Sequence, residues 1–349
     1  MDEPDRAARR VSVIVPCRNE RRYIQAFCAG VLRQALPPGW SLQLVIADGD
    51  SDDGTRETLE RIAAADPRVR WIGNPRRIVS CGLNAALALA DGEVIVRMDV
   101  HTEYADDYVA QCIAALAESG ADNAGGPWRA QAERGAGPVQ RAVAAAFQSR
   151  WVAGGAASRR LDHDGWVDTV YLGSWPRATF ERFGGFDESL VRNQDDEHNL
   201  RIVKGGGRVW QSSRIRSVYR PRARLAQVFR QYLQYGYWKP FVMRKHGQPA
   251  AARHLLPGAF VAAVLAAALL ALLGGPAAPV LALGLAYGLA VAAMTAAAAR
   301  QGALDAAAAL RVPAVIAAYH VAYGIGSLWG WWDVLRHGRG RERFASLTR

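Results

Sequence analysis

Three places in the sequence set acidic side chains where a ligand rich in phosphate and hydroxyl groups would need them. Asp99 and His101 end the run Val96-Arg97-Met98-Asp99-Val100-His101. Two residues apart on an extended segment, they share a face, so a carboxylate oxygen and an imidazole nitrogen can meet one divalent ion such as Mg2+ or Mn2+. Asp48 ends a second apolar run and opens Asp48-Gly-Asp-Ser-Asp-Asp53-Gly54-Thr55, and Asn193-Gln194-Asp195-Asp196-Glu197 opens a helical pattern. Each place also has a plainer reading. A histidine near a strand end can be a hydrogen-bonded structural residue. Asp52 and Asp53 suit the cap of the following helix, the reading favoured for them. Acids at a helix start are stabilised by the dipole, whereas a base at Asp195 would face an acceptor hydroxyl. The acid-glycine run lacks the EF-hand spacing and its closing glutamate.

The elements that must position these residues alternate between strand and helix. Val11–Val15 is a short apolar run ended by Pro16, the pattern of a buried parallel strand, and the polar Cys17-Arg18-Asn19-Glu20 then sits at its carboxyl end. Helix is expected from about Arg21 to Gln34, strand over Leu42–Ala47, helix to about Ala65, and strand over Val69–Ile72. A helix over Ser80–Ala90 holds Asn84, and a fourth strand, Val94–Met98, reaches Asp99. Such alternation argues for a mostly parallel sheet covered on both faces, with ligands at the carboxyl ends of its strands. Further on, Ala105–Ser119 and Val139–Trp151 read as helices, Gly125–Trp128 as a turn or short edge strand, and Gly154–Gly165 as a mobile loop. The segment Asp168–Pro176 is strand-like, and the helix opened by Asn193 runs to Gly205. No GxGxxG follows the first strand and no Walker lysine is present, which removes support for dehydrogenase and P-loop functions.

Composition changes near residue 254. Leu255 to Ala299 carry no charge, and 45 residues of helix would be about 67 Å long, over twice a ~30 Å hydrocarbon core. Two spans, near 255–273 and 277–299, are therefore expected, with a third apolar block at Val312–Trp332. Net charge is +11, but the arginines cluster at 214–230, at Arg244 with Lys245, and from Arg336 onward, flanking the apolar block. Anionic lipid headgroups fit that distribution better than nucleic acid. The four cysteines form no CxxC pair, and the first ten residues carry no apolar segment, so structural thiols and a cytoplasmic catalytic part are expected.

Taken in order, these pieces resemble the family 2 glycosyltransferases of GT-A fold, and within them the bacterial exopolysaccharide enzymes of the succinoglycan glucosyltransferase type. The likeness rests on Val13–Glu20, Ile46–Thr55, Asn84, Arg97-Met-Asp99-Val-His101, Phe183–Glu188, Asn193–Glu197 and Arg230–Gly236. The resemblance implies a Rossmann-like GT-A domain over 11–246 with interfacial helices at its C-terminal end, preceded by a tail at 1–10. A membrane domain of two to four helices over 255–335 and a basic tail at 336–349 follow. It implies a donor site of Pro16, Arg18, Glu20, Asp48, Asn84 and Asp99, and a DxD-type site for metal and diphosphate at Asp99 and His101. Asp195 takes the place of the catalytic base, with Gln194 where the family has glutamate, and Asp187, Glu188, Asp196 and Gln231 fall on the acceptor side. The activity implied is inverting transfer of a sugar, glucose first, from a UDP-sugar to a hydroxyl of a lipid-linked or exopolysaccharide acceptor. The setting implied is the plasma membrane, multi-pass, with the catalytic domain cytoplasmic. A processive synthase or polyprenyl-phosphate sugar transferase, and a silent nucleotide-sugar-binding scaffold, are the alternatives. At the place where processive members carry Q-x-x-R-W, this chain has Gln231-Tyr-Leu-Gln234-Tyr235, which favours transfer of a single sugar.

Overall fold

Val11, Val13, Val15 and Cys17 point to one face of the first strand and Ile14 to the other, and all are buried, as a central strand covered on both sides requires. The computed structural model describes residues 9–338 together with Gly340 and Phe344; the expected tail up to residue 8 and the rest of the basic tail lie outside the described residues. Contacts divide the chain into two compact units, Met1–Arg129 with Leu161–Tyr219, and Ala130–Arg160 with Arg220–Arg349. The region read as catalytic, 11–246, is thus drawn from both.

In the first unit the chain runs β1 (Arg9–Cys17), α1 (Ile24–Leu32), β2 (Trp40–Asp48), α2 (Thr55–Ala65), β3 (Val69–Gly73), α3 (Val79–Leu89), β4 (Val94–Arg97), β5 (Thr102–Tyr104), α4 (Tyr108–Ser119) and β6 (Asn123–Gly126). The second unit contributes α5 (Pro138–Gln148) before the first resumes with β7 (Gly165–Val167), β8 (Tyr171–Pro176), α6 (Arg177–Phe183), α7 (Gln194–Lys204), β9 (Val209–Gln211) and β10 (Ser217–Tyr219). The main sheet has the order β3-β2-β1-β4-β8-β6-β9-β7, and β5 pairs with β10 in a separate ribbon. Its β3-β2-β1-β4 half is parallel, while β8 runs antiparallel to both β4 and β6. Leu44, Ile46, Val96 and Met98 pack with α1, α2 and α4 on one face, and Val45, Ala47 and Ile95 with α3, α6 and α7 on the other. The four cysteines are buried and unpaired with one another, and burial pushes the Cys28 and Cys112 thiols up to about 12.

Two expectations change here. Residues 123–126 are an interior strand between β8 and β9 rather than a turn or edge, and their glycines are the reason. A Cβ on Gly126 would lie 2.0 Å from the Ile215 carbonyl oxygen, and one on Gly125 2.7 Å from Val170 Cβ. The 154–165 segment, expected to be mobile, is tied down at several points. Buried Arg159 donates to the Phe147 carbonyl at 2.8 Å, Gln148 donates to the Arg159 carbonyl at 2.8 Å, and Asp164 accepts from Ser212 and Ser213.

The second unit is helical: α5, α8 (Leu225–His246), α9 (Leu256–Leu272), α10 (Ala278–Gln301), α11 (Ala306–Ala309) and α12 (Val312–His337). Three segments, Ala252–Leu272, Ala278–Gln301 and Ala306–His337, are long and apolar enough to cross a membrane. They differ in cover: the apolar windows of the first two are 11% and 6% buried, that of the third 39%. The cover on α12 includes α8, where backbone meets backbone through glycine. A Cβ on Gly236 would lie 2.1 Å from the Tyr323 carbonyl oxygen, on Gly326 2.2 Å from that of Leu233, and on Gly330 2.3 Å from that of Tyr237. Tyr237 donates to Asp333 at 2.7 Å in the same buried seam.

Candidate functional site

Strand order sets the location. From β1 the sheet extends to β2 on one side and β4 on the other, and ligands of open α/β sheets bind where the order reverses, beyond the strands' carboxyl ends. Here those ends deliver Pro16–Glu20, Asp48 and Asp99. The β1 and β2 ends are stitched into one loop pair. Gly49 N donates to the Cys17 carbonyl at 2.7 Å, Glu20 N to Thr55 Oγ1 at 2.7 Å, and Asn19 exchanges hydrogen bonds with Asp52 at 2.9 and 3.0 Å. Asn19 and Asp50 take left-handed backbone conformations, which Asn and Asp tolerate better than most residues. The cap expected of Asp52 or Asp53 falls instead on Gly54, in a left-handed conformation with no side-chain cap, while Asp53 Oδ1 accepts from Thr55 N at 3.0 Å in the turn before α2.

Asp48, expected in the donor site, is held inside its own loop. It is fully buried, and its oxygens accept from Ser51 Oγ at 2.5 Å and from Arg56 Nε and Nη2 at 3.3 Å each. Arg56 continues to Asp50 at 3.1 Å, and Asp50 also pairs with Arg77, whose hydrogen bond and then charge hold the Asp50 carboxyl below its ordinary value. Asp48 therefore organises the loop. Half-buried Arg18 packs on Gly49 from the other side.

The β4 end also departs from the extended geometry expected of it. Thr102 N donates to the Asp99 carbonyl at 3.1 Å and closes a turn, so Asp99 and His101 do not line one strand face. The period-2 face joins Arg97 and Asp99 instead. Arg97 Nε and Nη2 grip Asp99 Oδ1 and Oδ2 at 3.1 Å each. The turn is closed from below by Tyr104, whose hydroxyl accepts from Asp99 N at 2.7 Å and donates to Asp99 O at 3.1 Å. His101 Nε2 meets the buried Glu20 carboxylate at 2.7 Å and packs edge-on against Tyr23. Beside this turn stands an aromatic wall. Tyr171 hydrogen-bonds Thr102 at 2.9 Å and stacks on Trp128, and Tyr219 packs against both rings.

Asp195 lies half-buried in the first turn of α7, accepting from Asp196 N at 3.0 Å. Burial, and then the Asp196 charge, push its carboxyl above the ordinary value against the pull of Arg97. Asp99 and Asp195 thus share the field of one buried guanidinium. Glu197 is bound by Arg201 at 3.1 and 2.7 Å and serves the helix. Asp196 reaches Thr169 at 3.4 Å.

The remaining expected site residues form other structures. Asn84 Nδ2 donates to the Phe186 carbonyl at 2.8 Å and to Glu188 Oε1 at 3.0 Å, and Phe186 N donates back to Asn84 Oδ1 at 2.8 Å. Glu188 also binds Arg76 at 2.5 Å, and Asp187 accepts from Ser189. Asn84, assigned to the donor, and Glu188, assigned to the acceptor, therefore meet as a clamp on one loop. Gln231 is buried in α8 of the second unit, donating to Tyr235 at 3.4 Å. The Arg97 grip, the Glu20–His101 pair and the Tyr171 wall went unread. The first had a signal in the i, i+2 spacing of an arginine and an aspartate.

The donor set at β4 fits a divalent ion whose other ligands come from a substrate. Asp99 supplies a partly exposed hard oxygen, and two carboxylates around one arginine leave negative charge for a dication to balance. Among the described residues no three His, Cys, Asp or Glu side chains form a cage, so phosphate and water oxygens would complete the shell.

Residues 12–152 match the description glycosyl transferase family 2. Over 262 residues, 74% of this chain and 78% of the relative, the sequence is 36% identical to the succinoglycan biosynthesis protein ExoA of Rhizobium meliloti. The chain belongs to glycosyl transferase family 2. A second relative of this glycosyltransferase is a dolichyl N-acetyl-alpha-D-glucosaminyl phosphate diacetamido-dideoxy-glucuronosyltransferase of Methanococcus voltae. It is 22% identical over 243 residues, 67% of this chain and 74% of the relative. Among solved structures, the mannosyltransferase PcManGT of Pyrobaculum calidifontis, in complex with GDP-Man and Mn2+, superposes with a TM-score of 0.56 at 23% identity. That match covers 93% of this chain and 87% of the other. The likeness establishes the GT-A fold of this family 2 glycosyltransferase.

Proposed function

We propose that the protein is a membrane-bound inverting glycosyltransferase that moves one sugar, glucose as the first candidate, from a UDP-sugar to a hydroxyl of a lipid-linked or exopolysaccharide acceptor. The observation that carries the reading is the carboxylate of Asp99, gripped at a strand end by the buried Arg97, together with the half-buried Asp195 at a helix start. Burial and then the Asp196 charge raise the Asp195 carboxyl above its ordinary value. The relation to a succinoglycan biosynthesis protein supports the acceptor class.

The donor lies beyond β1 and β4, with the β1–β2 loop on its nucleoside side and Asp99 on its diphosphate side. Asp195 faces the acceptor hydroxyl. In one displacement the acceptor oxygen bonds to the anomeric carbon as the bond to the diphosphate oxygen breaks, the hydroxyl proton passes to Asp195, and the configuration inverts. A bound Mg2+ or Mn2+, held by Asp99 with His101 alongside, would offset charge on the departing nucleoside diphosphate. Asp187 and Asp196 are assigned to the acceptor side, and Asn84 with Glu188 to support of the loop that carries Phe186.

The α9–α10 hairpin supplies two crossings of the plasma membrane. Its connecting residues 273–277 carry no charge, while Arg253, Arg300 and Arg311 gather at its other end, which the positive-inside tendency assigns to the cytoplasm with the catalytic part. Detergent-purified protein given UDP-glucose, with and without a membrane lipid extract, tests the function through UDP release. Release stimulated by the extract is expected; the absence of release with any nucleotide sugar refutes transfer.

A further inference from the structure

The mechanism above leaves one group of the site without a task. Arg97 closes β4, is 5% exposed, and grips both oxygens of Asp99 with Nε and Nη2. A guanidinium is a rigid plane, so the hydrogens of the third nitrogen, Nη1, point off the edge that holds Asp99. Nη1 is buried and has no hydrogen-bond partner among the described residues. Burying a charged donor unmatched is costly, and a fold that only needed to anchor Asp99 could do so with two nitrogens. The charges that reach Arg97 are those of Asp99 and Asp195, with the Tyr171 phenol nearby, and none of them is hydrogen-bonded to Nη1. An anionic oxygen brought beside Asp99 would be a matching acceptor for a buried cationic donor of this kind.

We propose that Arg97 is a donor-binding residue: one edge of its guanidinium fixes Asp99, and Nη1 donates to an oxygen of the bound nucleotide sugar's diphosphate. This rests on the transfer reading for the ligand's identity, but its own test is binding. Arg is suited to the double task because it carries several donors in a fixed fork, whereas Lys offers a point charge.

The experiment measures equilibrium binding of UDP and UMP to full-length protein in detergent, with Mn2+ and with chelator, for wild type, Arg97→Gln and Arg97→Lys. Thermal unfolding serves as the check on folding. Losing a hydrogen bond to a charged group corresponds to about a 10- to 100-fold rise in UDP Kd for Arg97→Gln, and Arg97→Lys should recover part of it. UMP, which lacks the second phosphate, should lose much less. Unchanged UDP affinity in folded Arg97→Gln overturns the proposal, as does an equal loss for UMP and UDP, which marks a general disturbance. If Arg97→Gln does not fold, Arg97→Lys decides: a rise of about fivefold or more supports the proposal and no rise overturns it. Wild type that binds UDP-glucose yet releases no UDP with any acceptor retires the transfer reading while the Arg97 comparison still stands. Wild type that binds neither UDP nor UDP-glucose overturns both.

Discussion

Asparagine at position 195 keeps the side-chain shape and an oxygen for the Asp196 amide, but it removes the charge and the capacity to take a proton. General-base catalysis is worth about 10²- to 10⁴-fold, or about 2.7 to 5.4 kcal/mol of barrier at 1.36 kcal/mol per tenfold. Two features favour the upper half of that range, a loss in turnover of about 10³-fold or more. A carboxyl raised above its ordinary value is a stronger base once ionised. Being half-buried beside Asp196 and Arg97, it also cannot be replaced freely by bulk water. The assay is UDP release at saturating donor and acceptor, with donor affinity measured separately, and affinity should change little. The pH profile carries a second check. Only ionised Asp195 can act, so activity falls as pH drops through its raised value, at higher pH than for an ordinary aspartate near 3.9. Asp196→Asn removes the like charge and should move that limb to lower pH. Stability runs the other way. A raised folded-state value means that the folded protein holds this proton more tightly than the unfolded chain, so the ionised base destabilises the fold at neutral pH. Asp195→Asn should therefore melt at or above wild type at pH 7, with the difference vanishing as pH falls below the unfolded value. Turnover of Asp195→Asn within tenfold of wild type refutes the base assignment, as does a lowered melting point at pH 7.

Excess chelator should abolish turnover of the wild-type enzyme, with Mn2+ or Mg2+ restoring it, and Asp99→Asn should need more metal for half-maximal rate; full activity in chelator removes the metal from the reaction. Gly326→Leu drives a side chain into the Leu233 backbone and should cost at least about 1–3 kcal/mol, read as a lowered thermal midpoint in detergent. An unshifted midpoint shows that α8 and α12 are not in such close contact. A C-terminal tag should stay on the catalytic side of the membrane, because α12, unlike α9 and α10, is substantially covered by protein. Its digestion in inside-out vesicles is expected, and protection refutes two crossings.

Much of the first unit was legible because burial on both faces leaves a continuous apolar run. Val11–Val15, Leu42–Ala47 and Val94–Met98 were read as strands and are observed as Arg9–Cys17, Trp40–Asp48 and Val94–Arg97. Strand direction was not legible: Tyr171–Pro176 has the same composition in either sense, and only tertiary pairing makes it antiparallel to β4. The strand at 123–126 was hidden because Asn-Ala-Gly-Gly has no β-branched residue. Its glycines are chosen for backbone approach rather than propensity. Helix was expected at the carboxyl end of the 11–246 region and Leu225–His246 is observed there, but its partner was not legible, since its packing seam is set by glycine contacts with α12.

The site residues divide along the same physical line. Residue type announces that a side chain can bind or take a proton, but only local backbone geometry says to whom it turns. Asp99 and His101 sit two apart, as do Arg97 and Asp99, and periodicity alone ranks the pairs equally. The strand continues through Arg97, whereas the chain turns at Asp99, so the spacing rule holds for the first pair and fails for the second. The consequence for chemistry is specific. His101 is delivered to Glu20 of the neighbouring strand end, joining the two sides of the β1–β4 crevice. Asp99 is delivered to a permanent buried cation that it shares, through the field, with Asp195. A donor carboxylate gripped by that guanidinium and a base within reach of its field would respond together when a diphosphate or a dication enters. Perturbing Arg97 should therefore move donor affinity and the acid limb of activity in the same variant, whereas perturbing His101 should move donor affinity and leave the acid limb in place.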